Sequence, residues 1–353
     1  MIISWIIAIG ILAGMTDMLS GNRWGLGEKF HQGFELIGSM MLSMAGIMAL
    51  APAIADFLKP VVLPVFRAVG IDPGMMGILL GNDMGGWQLA MSLAENRTIG
   101  IMAGGITAGM LGGTLIFSIP LGFALTKEED YPYFSKGILI GISAIPVGSI
   151  IAGIFLGLPL PTVLRNNLPV LALSVLIIFG FLFCQNKIIK AMEWFGKIIN
   201  WIGLIGIGLG SFTRLTGIQI IPHMADILEM MGVVCSVTIT MLGMFPILEL
   251  ISRMARPILR KMEKKTWIDE ASCSGILFTM ASAAPVFSSM KDMNKRGIVI
   301  NAAWITCCAA LFGSQLGLVM SIGQEYVVPY LAGKLGAGVT ALALSIILTE
   351  NMK

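Results

Sequence analysis

Run after run of about twenty apolar residues, the length a helix needs to cross the hydrocarbon core of a bilayer, leaves this chain few ways to fold. Such runs lie near 2–20, 34–57, 98–125, 136–159, 168–184, 196–216, 230–252, 298–322 and 326–349. The composition agrees. Residues are 56% hydrophobic and only 12% charged, against about 25% charged in a soluble domain, and the mean hydropathy is +0.87. The expectation is an all-α polytopic membrane protein, a single integral membrane domain over 1–353 with short connections and no inserted soluble domain. Small residues let membrane helices approach closely and methionine fills irregular gaps; the 43 glycines and 26 methionines suit both needs.

Two shorter apolar segments, 74–94 and 272–290, differ from the rest. The first is interrupted by Gly85 and Gly86, the second by the stretch from Ala281 to Pro285. Two adjacent glycines weaken a helix by about 1 kcal/mol each and let the backbone break. A break at membrane depth is tolerated only where it is buried in protein or lines a watery cavity. Asp83 sits two residues before that pair, the one acid read as lying well inside an apolar run. A charge there is unfavourable by about 2.5–3.5 kcal/mol on insertion scales and usually faces a cavity or a partner. Acid and break together point to a site for a small cation.

The two regions can be superposed as sequences. Met44, Gly46, Lys59 and Pro60 match Met241, Gly243, Arg256 and Pro257 at one constant offset; after a slip of one, Gly77-Ile78-Leu79 matches Gly275-Ile276-Leu277 and Asn96 matches Asn294. Repeat 1 covers about 34–125 and repeat 2 about 230–322. Paired interrupted segments in two halves of a transporter point to its binding site. The basic turn expected at 253–265 (Arg253, Arg256, Arg260, Lys261, Lys264, Lys265) and the Lys291, Lys295, Arg296 group mark cytoplasmic ends. Lys187, Lys190 and Lys197 mark a third, two crossings earlier. Both ends of the second interrupted segment are then cytoplasmic, which favours a re-entrant hairpin, while the first would open from outside. The expected architecture is an inverted-repeat transporter with about nine spanning helices and two re-entrant segments; the alternative is eleven crossings with parallel repeats.

Each candidate residue has a functional and a structural reading. Asp83 is a counter-ion for an ammonium group or a proton, or a carboxylate capping a half-helix. Asn82 coordinates a hydroxyl or caps the same break. Trp87 follows Asp83 by four residues, one turn on if the segment is helical, and offers either a cation–π face or ordinary packing; Gln88 is a weaker candidate. In the second segment Ser282, Phe287, Ser288 and Ser289 replace the acid with hydroxyls and a ring, which hold a substrate hydroxyl or bond their own helix. Ser314 and Gln315 are a cavity pair or a helix–helix hydrogen bond. Gly105, Gly109 and Gly113 form a small-residue row suited to close helix packing. Glu249 and Arg253 are spaced for an ion pair. Asp17, Glu35 and Asp56 sit near span ends and are expected to reach the interface. His31 and His223 lack ligand spacing, and Cys184, Cys235, Cys273, Cys307 and Cys308 read as small core residues without metal spacing. No hydrolase, zinc-protease or nucleotide-binding fingerprint occurs. No cofactor and no nucleic-acid partner is expected, and an enzyme is disfavoured. The N-terminal run, lacking a charged n-region and a cleavage pattern, reads as a retained first helix.

The runs GFELIGSMMLSMAGIMALAP (33–52), GILLGNDMGGWQLA (77–90), GGTLIFSIPLGFAL (112–125), GILIGISAIPVGSIIAG (137–153), KDMNKRGIVIN (291–301) and AGKLGAGVTALAL (332–344) resemble the EutH family of ethanolamine-utilisation permeases. The likeness spans nearly the whole chain. It implies a multi-pass protein of the bacterial plasma membrane that takes up ethanolamine, an ammonium with one hydroxyl. Asp83 matches the family's aspartate, and Trp87 stands where members carry phenylalanine. There are departures: a run resembling Asn-Asn-Ile-Pro is here Ser282-Ala283-Ala284-Pro285, and a Gly-Asp-His-Leu-Gly run is Gly313-Ser314-Gln315-Leu316-Gly317. They leave open a related small amine as substrate. Two rivals stand beside carrier-type uptake: a passive channel, and a non-transporting membrane component of an ethanolamine-utilisation system. A homo-oligomer is an expectation by analogy.

Overall fold

The computed structural model of the chain describes residues 2–266 and 269–352, and the side chains of 256–266 lie outside that description. All described secondary structure is helical. Seven helical stretches are long and apolar enough to cross a membrane: α1 (Ile2–Leu19), α2 (Leu26–Ala68), Arg97–Leu125, Glu128–Phe155, Leu160–Thr216, Ile227–Ala255 and Gln324–Leu348. The nine apolar runs reduce to these seven for two reasons. Runs 168–184 and 196–216 are joined in one 49-residue element, Leu168–Thr216, bent at Cys184 (φ −142°, ψ 42°). The run 298–322 is not one helix but two, Lys295–Cys308 and Ser314–Ile322.

Between α2 and α4 (Arg97–Leu125) runs the first interrupted segment: a 3-10 turn over Pro73–Leu79, two extended residues, a tip at Asn82–Gly86, and α3 (Trp87–Leu93). The tip breaks at Met84 (φ −108°, ψ 44°) and Gly85 (φ 88°). A side chain at Gly85 would be strained by its left-handed backbone, and one at Gly86 would stand 2.7 Å from the carbonyl oxygens of Leu80 and Gly81. The glycine pair is what allows the chain to reverse inside packed protein.

The segment leaves and returns at one end. Asp72 caps its start, accepting from the Gly74 amide (2.8 Å), and the same carboxylate accepts from the Asn96 amide (2.7 Å), where the chain comes back. Asn96 in turn caps α4. The second interrupted segment is closed in the same manner. Asp269 caps α9 (Glu270–Ala281) and accepts from the Ser272 and Asn294 amides, both at 2.8 Å; Asn294 caps α11 (Lys295–Cys308). Between them, Ser282 is fully extended (φ −159°, ψ 139°) and α10 (Ala284–Ser289) carries Pro285 in its first turn, where a missing amide hydrogen is not missed.

The remaining elements form the scaffold: α5 (Tyr131–Phe155), α6 (Leu160–Asn166), α7 (Leu168–Thr216), α8 (Ile227–Thr266), α12 (Ser314–Ile322) and α13 (Val327–Leu348). Helix α13 packs along α5 and α11, and α8 along α1 and α2. Glycine and alanine make these seams close: a Cβ on Gly148 would meet the Gly333 carbonyl at 2.4 Å. The exposed apolar side chains lie chiefly on the outer helices, among them Trp5, Leu12, Leu176, Phe183 and Trp201.

Several charged groups differ from expectation. Asp17, near the end of α1, is fully buried by protein, and its carboxylate accepts from the amides of Trp24, Leu26 and Gly27 at 2.7–3.0 Å, capping the start of α2. Residues 253–266 continue α8 as helix rather than forming a turn; the expected basic residues from Arg256 to Lys265 lie outside the described side chains. Lys187, Lys190 and Lys197 likewise sit on α7 beyond its bend. The Glu249–Arg253 pair forms at 2.8 Å.

Candidate functional site

The tips of both interrupted segments end at one cavity of about 440 Å³, within the range of about 300–1,000 Å³ usual for small-molecule sites. Asp83 and Met84 come from the first tip, and Ala281, Ser282 and Ala283 from the second. Helix α4 contributes Gly109, Gly113 and Thr114, and helices α2 and α8 contribute Met40, Met44, Met241 and Phe245. Asp83 is the one carboxylate on this wall among the described residues. Its Oδ2 accepts a 2.6 Å hydrogen bond from the Ser314 hydroxyl.

Ser314 can reach it because the apolar run 298–322 is broken. Between α11 and α12 the chain unwinds over 309–313, with Ala310 at φ 51°. The freed amides of Ala310 and Phe312 donate to the Thr279 and Met280 carbonyls of α9 (3.0 and 2.7 Å), so the break also caps the half-helix that leads to the second tip. Its freed carbonyls are taken up from α13: Tyr330 donates to Leu311 at 3.0 Å and the Lys334 ammonium to Ala309 at 2.8 Å. The break is thus held by protein partners around a cavity, as membrane depth demands.

A polar layer runs along the wall and behind it. Asn82 is fully buried; its Nδ2 donates to the Gly105 carbonyl at 3.2 Å and its Oδ1 has no hydrogen-bond partner among the described residues. Gln315 donates to the Gly109 carbonyl at 3.0 Å and accepts from Lys334. A Cβ on Gly109 would stand 2.8 Å from the Gln315 Oε1 and 3.1 Å from the Asn82 Oδ1. The row Gly105, Gly109, Gly113 is thus the floor on which the first tip and the broken helix rest. Helix α4 widens into π turns at Ile101–Thr107 and Thr114–Ser118 along this stretch, a distortion frequent at functional sites.

Of the sequence candidates, Asp83, Ser282, Ser314 and Gln315 share the cavity wall. Asn82, Gly85 and Gly86 form the first tip just behind it. Trp87 is not one turn on from Asp83 on a helical face, since the backbone breaks between them; it is partly buried against the apolar cluster that includes Met40 and Met44 and does not line the cavity. Gln88 is half-buried with its Oε1 unpartnered. Phe287 is fully buried against Phe134, with ring centres 5.9 Å apart, and Ser288 is exposed and directed to its own helix. The rings that do line the cavity are Phe117 and Phe245. Two features escape the sequence reading. One is the break at 309–313. The other is Lys334, fully buried in the middle of an apolar run; a search for buried charges that weighs acids and not bases passes over it. No group of three metal-ligating side chains occurs among the described residues.

Comparison with known proteins follows the same outline. Residues 1–348 match the family described as "EutH: Ethanolamine utilisation protein, EutH". The chain is 36% identical over 352 residues to a Listeria monocytogenes protein named "Probable ethanolamine permease EutH", covering 99% of this chain and 94% of that one. It is 36% identical over 340 residues to the Bacillus subtilis "Uncharacterized protein YxeR", with 96% and 92% covered. An Escherichia coli relative, also named "Probable ethanolamine permease EutH", is 31% identical over 352 residues, with 93% and 86% covered. No solved structure matches the chain.

Proposed function

Because this chain belongs to the EutH family of ethanolamine utilisation proteins, we propose that it carries ethanolamine, or a closely similar small hydroxylated ammonium compound, into the cell. It is a multi-pass protein of the bacterial plasma membrane and not an enzyme. The observation that carries the substrate reading is the carboxylate of Asp83, alone among the described residues on the wall of a cavity whose other described lining is apolar or neutral. An ammonium entering from water loses most of its hydration there, and a fixed negative charge at contact distance offsets that loss.

In this reading the substrate ammonium pairs with Asp83, whose position is held by Ser314. Its hydroxyl meets Ser282 and Thr306, which line the same cavity, and the cation–π contact expected of Trp87 falls to Phe245, which also lines it. Asn82, Gly85, Gly86 and Gln315 hold the first tip and its floor in place.

The same reading takes the two clasped segments as an inverted pair, entering from opposite faces and meeting at their tips. With the bent α7 as two crossings and the pair α11–α12 as one broken crossing, the chain has nine. A neighbouring cavity of about 290 Å³ shares Phe245, Ala281 and Ser282 with the first and continues toward Lys29, Glu249 and Ser252; it is the exit side of the path.

The test is uptake of radiolabelled ethanolamine into proteoliposomes. Asp83→Asn is expected to abolish saturable uptake while the purified protein remains monodisperse, and Asp83→Glu to retain more activity than Asp83→Ala. Unchanged saturable transport by Asp83→Asn overturns the counter-ion assignment. Absence of counterflow in the native protein would instead favour a passive channel.

A further inference from the structure

Lys334 is a basic side chain with no exposed surface, inside the apolar helix α13. An ammonium so placed needs compensation. Its hydrogen-bond partners are neutral: the Ala309 carbonyl at 2.8 Å and the side-chain carbonyl of Gln315. The Tyr330 ring adds a face 5.6 Å from the nitrogen. Dipoles and a ring moderate the charge without cancelling it. The titratable groups that interact with it are Asp83 from the first tip and Cys307 and Cys308 from α11, with Tyr330 one turn away on its own helix. Thiols and a phenol are uncharged at neutral pH by their ordinary values, so among the described residues Asp83 alone can balance it.

The two are connected through adjacent residues. Ser314 donates to Asp83, and the next residue, Gln315, accepts from Lys334. Both hydrogen-bond partners of Lys334 lie at the unwound stretch 309–313 or next to it, the joint where a change at the cavity would be felt. Lys334 therefore sits within electrostatic reach of Asp83, the carboxylate offered to the substrate, yet off the cavity wall.

We propose that Lys334 is the carrier's own tethered counter-cation: it balances Asp83 while the site is empty, and shares that carboxylate with the substrate ammonium when one binds. This rests on the transport reading above. The charges then add up simply. The empty site, with Asp83 negative and Lys334 positive, is neutral and can reorient. The loaded site, in which Asp83 stands between two cations so that no charge is left without a partner, carries one net positive charge inward. Uptake is then a uniport drawn by an inside-negative potential, with no co-transported ion. Without Lys334, the loaded site is neutral and still crosses, but the empty site must return with a bare buried carboxylate, a form disfavoured by about a hundredfold on insertion scales.

The experiment separates exchange from net uptake in proteoliposomes, with radiolabelled ethanolamine as the probe. Lys334→Gln is expected to keep ethanolamine–ethanolamine exchange within about threefold of the native protein, because a loaded site shuttles in both directions. Its net uptake into empty vesicles is expected to fall by about a hundredfold. Lowering the pH should restore that net uptake, since a proton on Asp83 then does what the lysine did, while the native protein shows no such acid stimulation. A purely structural lysine would lower exchange and net uptake together at every pH, and that result overturns the proposal, as does undiminished net uptake. Should Lys334→Gln not fold, the native protein decides: net uptake driven by a potassium diffusion potential alone supports the proposal, and a requirement for a sodium or proton gradient overturns it. If the native protein does not exchange ethanolamine at all, it is the transport reading that fails.

Discussion

The two clasped segments share a frame and differ at the tip. In both, an aspartate caps the outgoing arm of the hairpin and accepts the amide of an asparagine where the chain returns: Asp72 with Asn96, Asp269 with Asn294. In both, that asparagine starts the next helix. The tips then diverge. The first turns through Gly85 in a left-handed conformation and presents a carboxylate; the second passes through an extended Ser282 and presents only a hydroxyl and backbone. The comparison separates two settings for a carboxylate in this protein. Asp17, Asp72 and Asp269 accept from backbone amides and act as caps. Asp83 has a serine hydroxyl and a cavity.

The sharpest way to break that distinction is to remove an acid of each kind. Asp83→Ala is expected to reduce saturable uptake by about a hundredfold or more, the scale of an unpaired ammonium at membrane depth, with the melting temperature in detergent within a few degrees of native. Asp72→Ala is expected to do the reverse. It orphans the amides of Gly74, Glu95 and Asn96; hydrogen bonds to a charged group contribute about 1.5–3 kcal/mol each, not additively. The result should be a loss of about 3–5 kcal/mol of stability, read as a lower melting temperature and yield, with an unchanged KM in the protein that survives. If Asp72→Ala instead raises KM and leaves stability alone, the clasp is part of the site and the comparison fails. Asp269→Ala should resemble Asp72→Ala, since it frees the Ser272 and Asn294 amides in the same way.

Gly85 tests the tip itself. Alanine there must hold a φ of 88°, and its Cβ would lie 2.3 Å from the Ile47 side chain. Backbone strain of this kind amounts to about 1–3 kcal/mol, and the tip can relieve it only by moving Asp83. Gly85→Ala is therefore expected to raise KM several-fold and lower stability modestly together, measured by uptake and by melting on one preparation.

These contrasts also show where the sequence can be read. Spanning runs, the glycine break and Asp83 are legible because each is a departure from a local rule: too apolar, too flexible, too charged. The sequence match between the two halves rests on residues such as Met44 and Met241, yet Asp72 and Asp269 stand at the same offset and close the two hairpins alike. Their role is invisible in one dimension because a cap is recognised by the amides it receives, and those include residues far along the chain. The break at 309–313 is illegible for a related reason. Its residues, Ala309-Ala310-Leu311-Phe312-Gly313, are ordinary helix formers apart from the last. What unwinds them is tertiary: the α9 carbonyls that take their amides, and Tyr330 and Lys334 that take their carbonyls. Phe287 and Ser288 stand close to a break in sequence, and helix α10 turns both away from the cavity.

The smallest expected effect concerns the second tip. Ser282 lines both the main cavity and the neighbouring one, where the two share Phe245 and Ala281. Its hydroxyl is neutral, and a single neutral hydrogen bond contributes about 0.5–1.5 kcal/mol net. Ser282→Ala is therefore expected to raise the KM for ethanolamine by about two- to tenfold while leaving the KM for ethylamine, which lacks the hydroxyl, nearly unchanged. The pair of substrates makes this a test of chemistry rather than of folding, since a distorted site would weaken both. If the two KM values rise together, the second tip shapes the path without touching the substrate, and the division of labour between the hairpins is complete: one recognises, the other only gates.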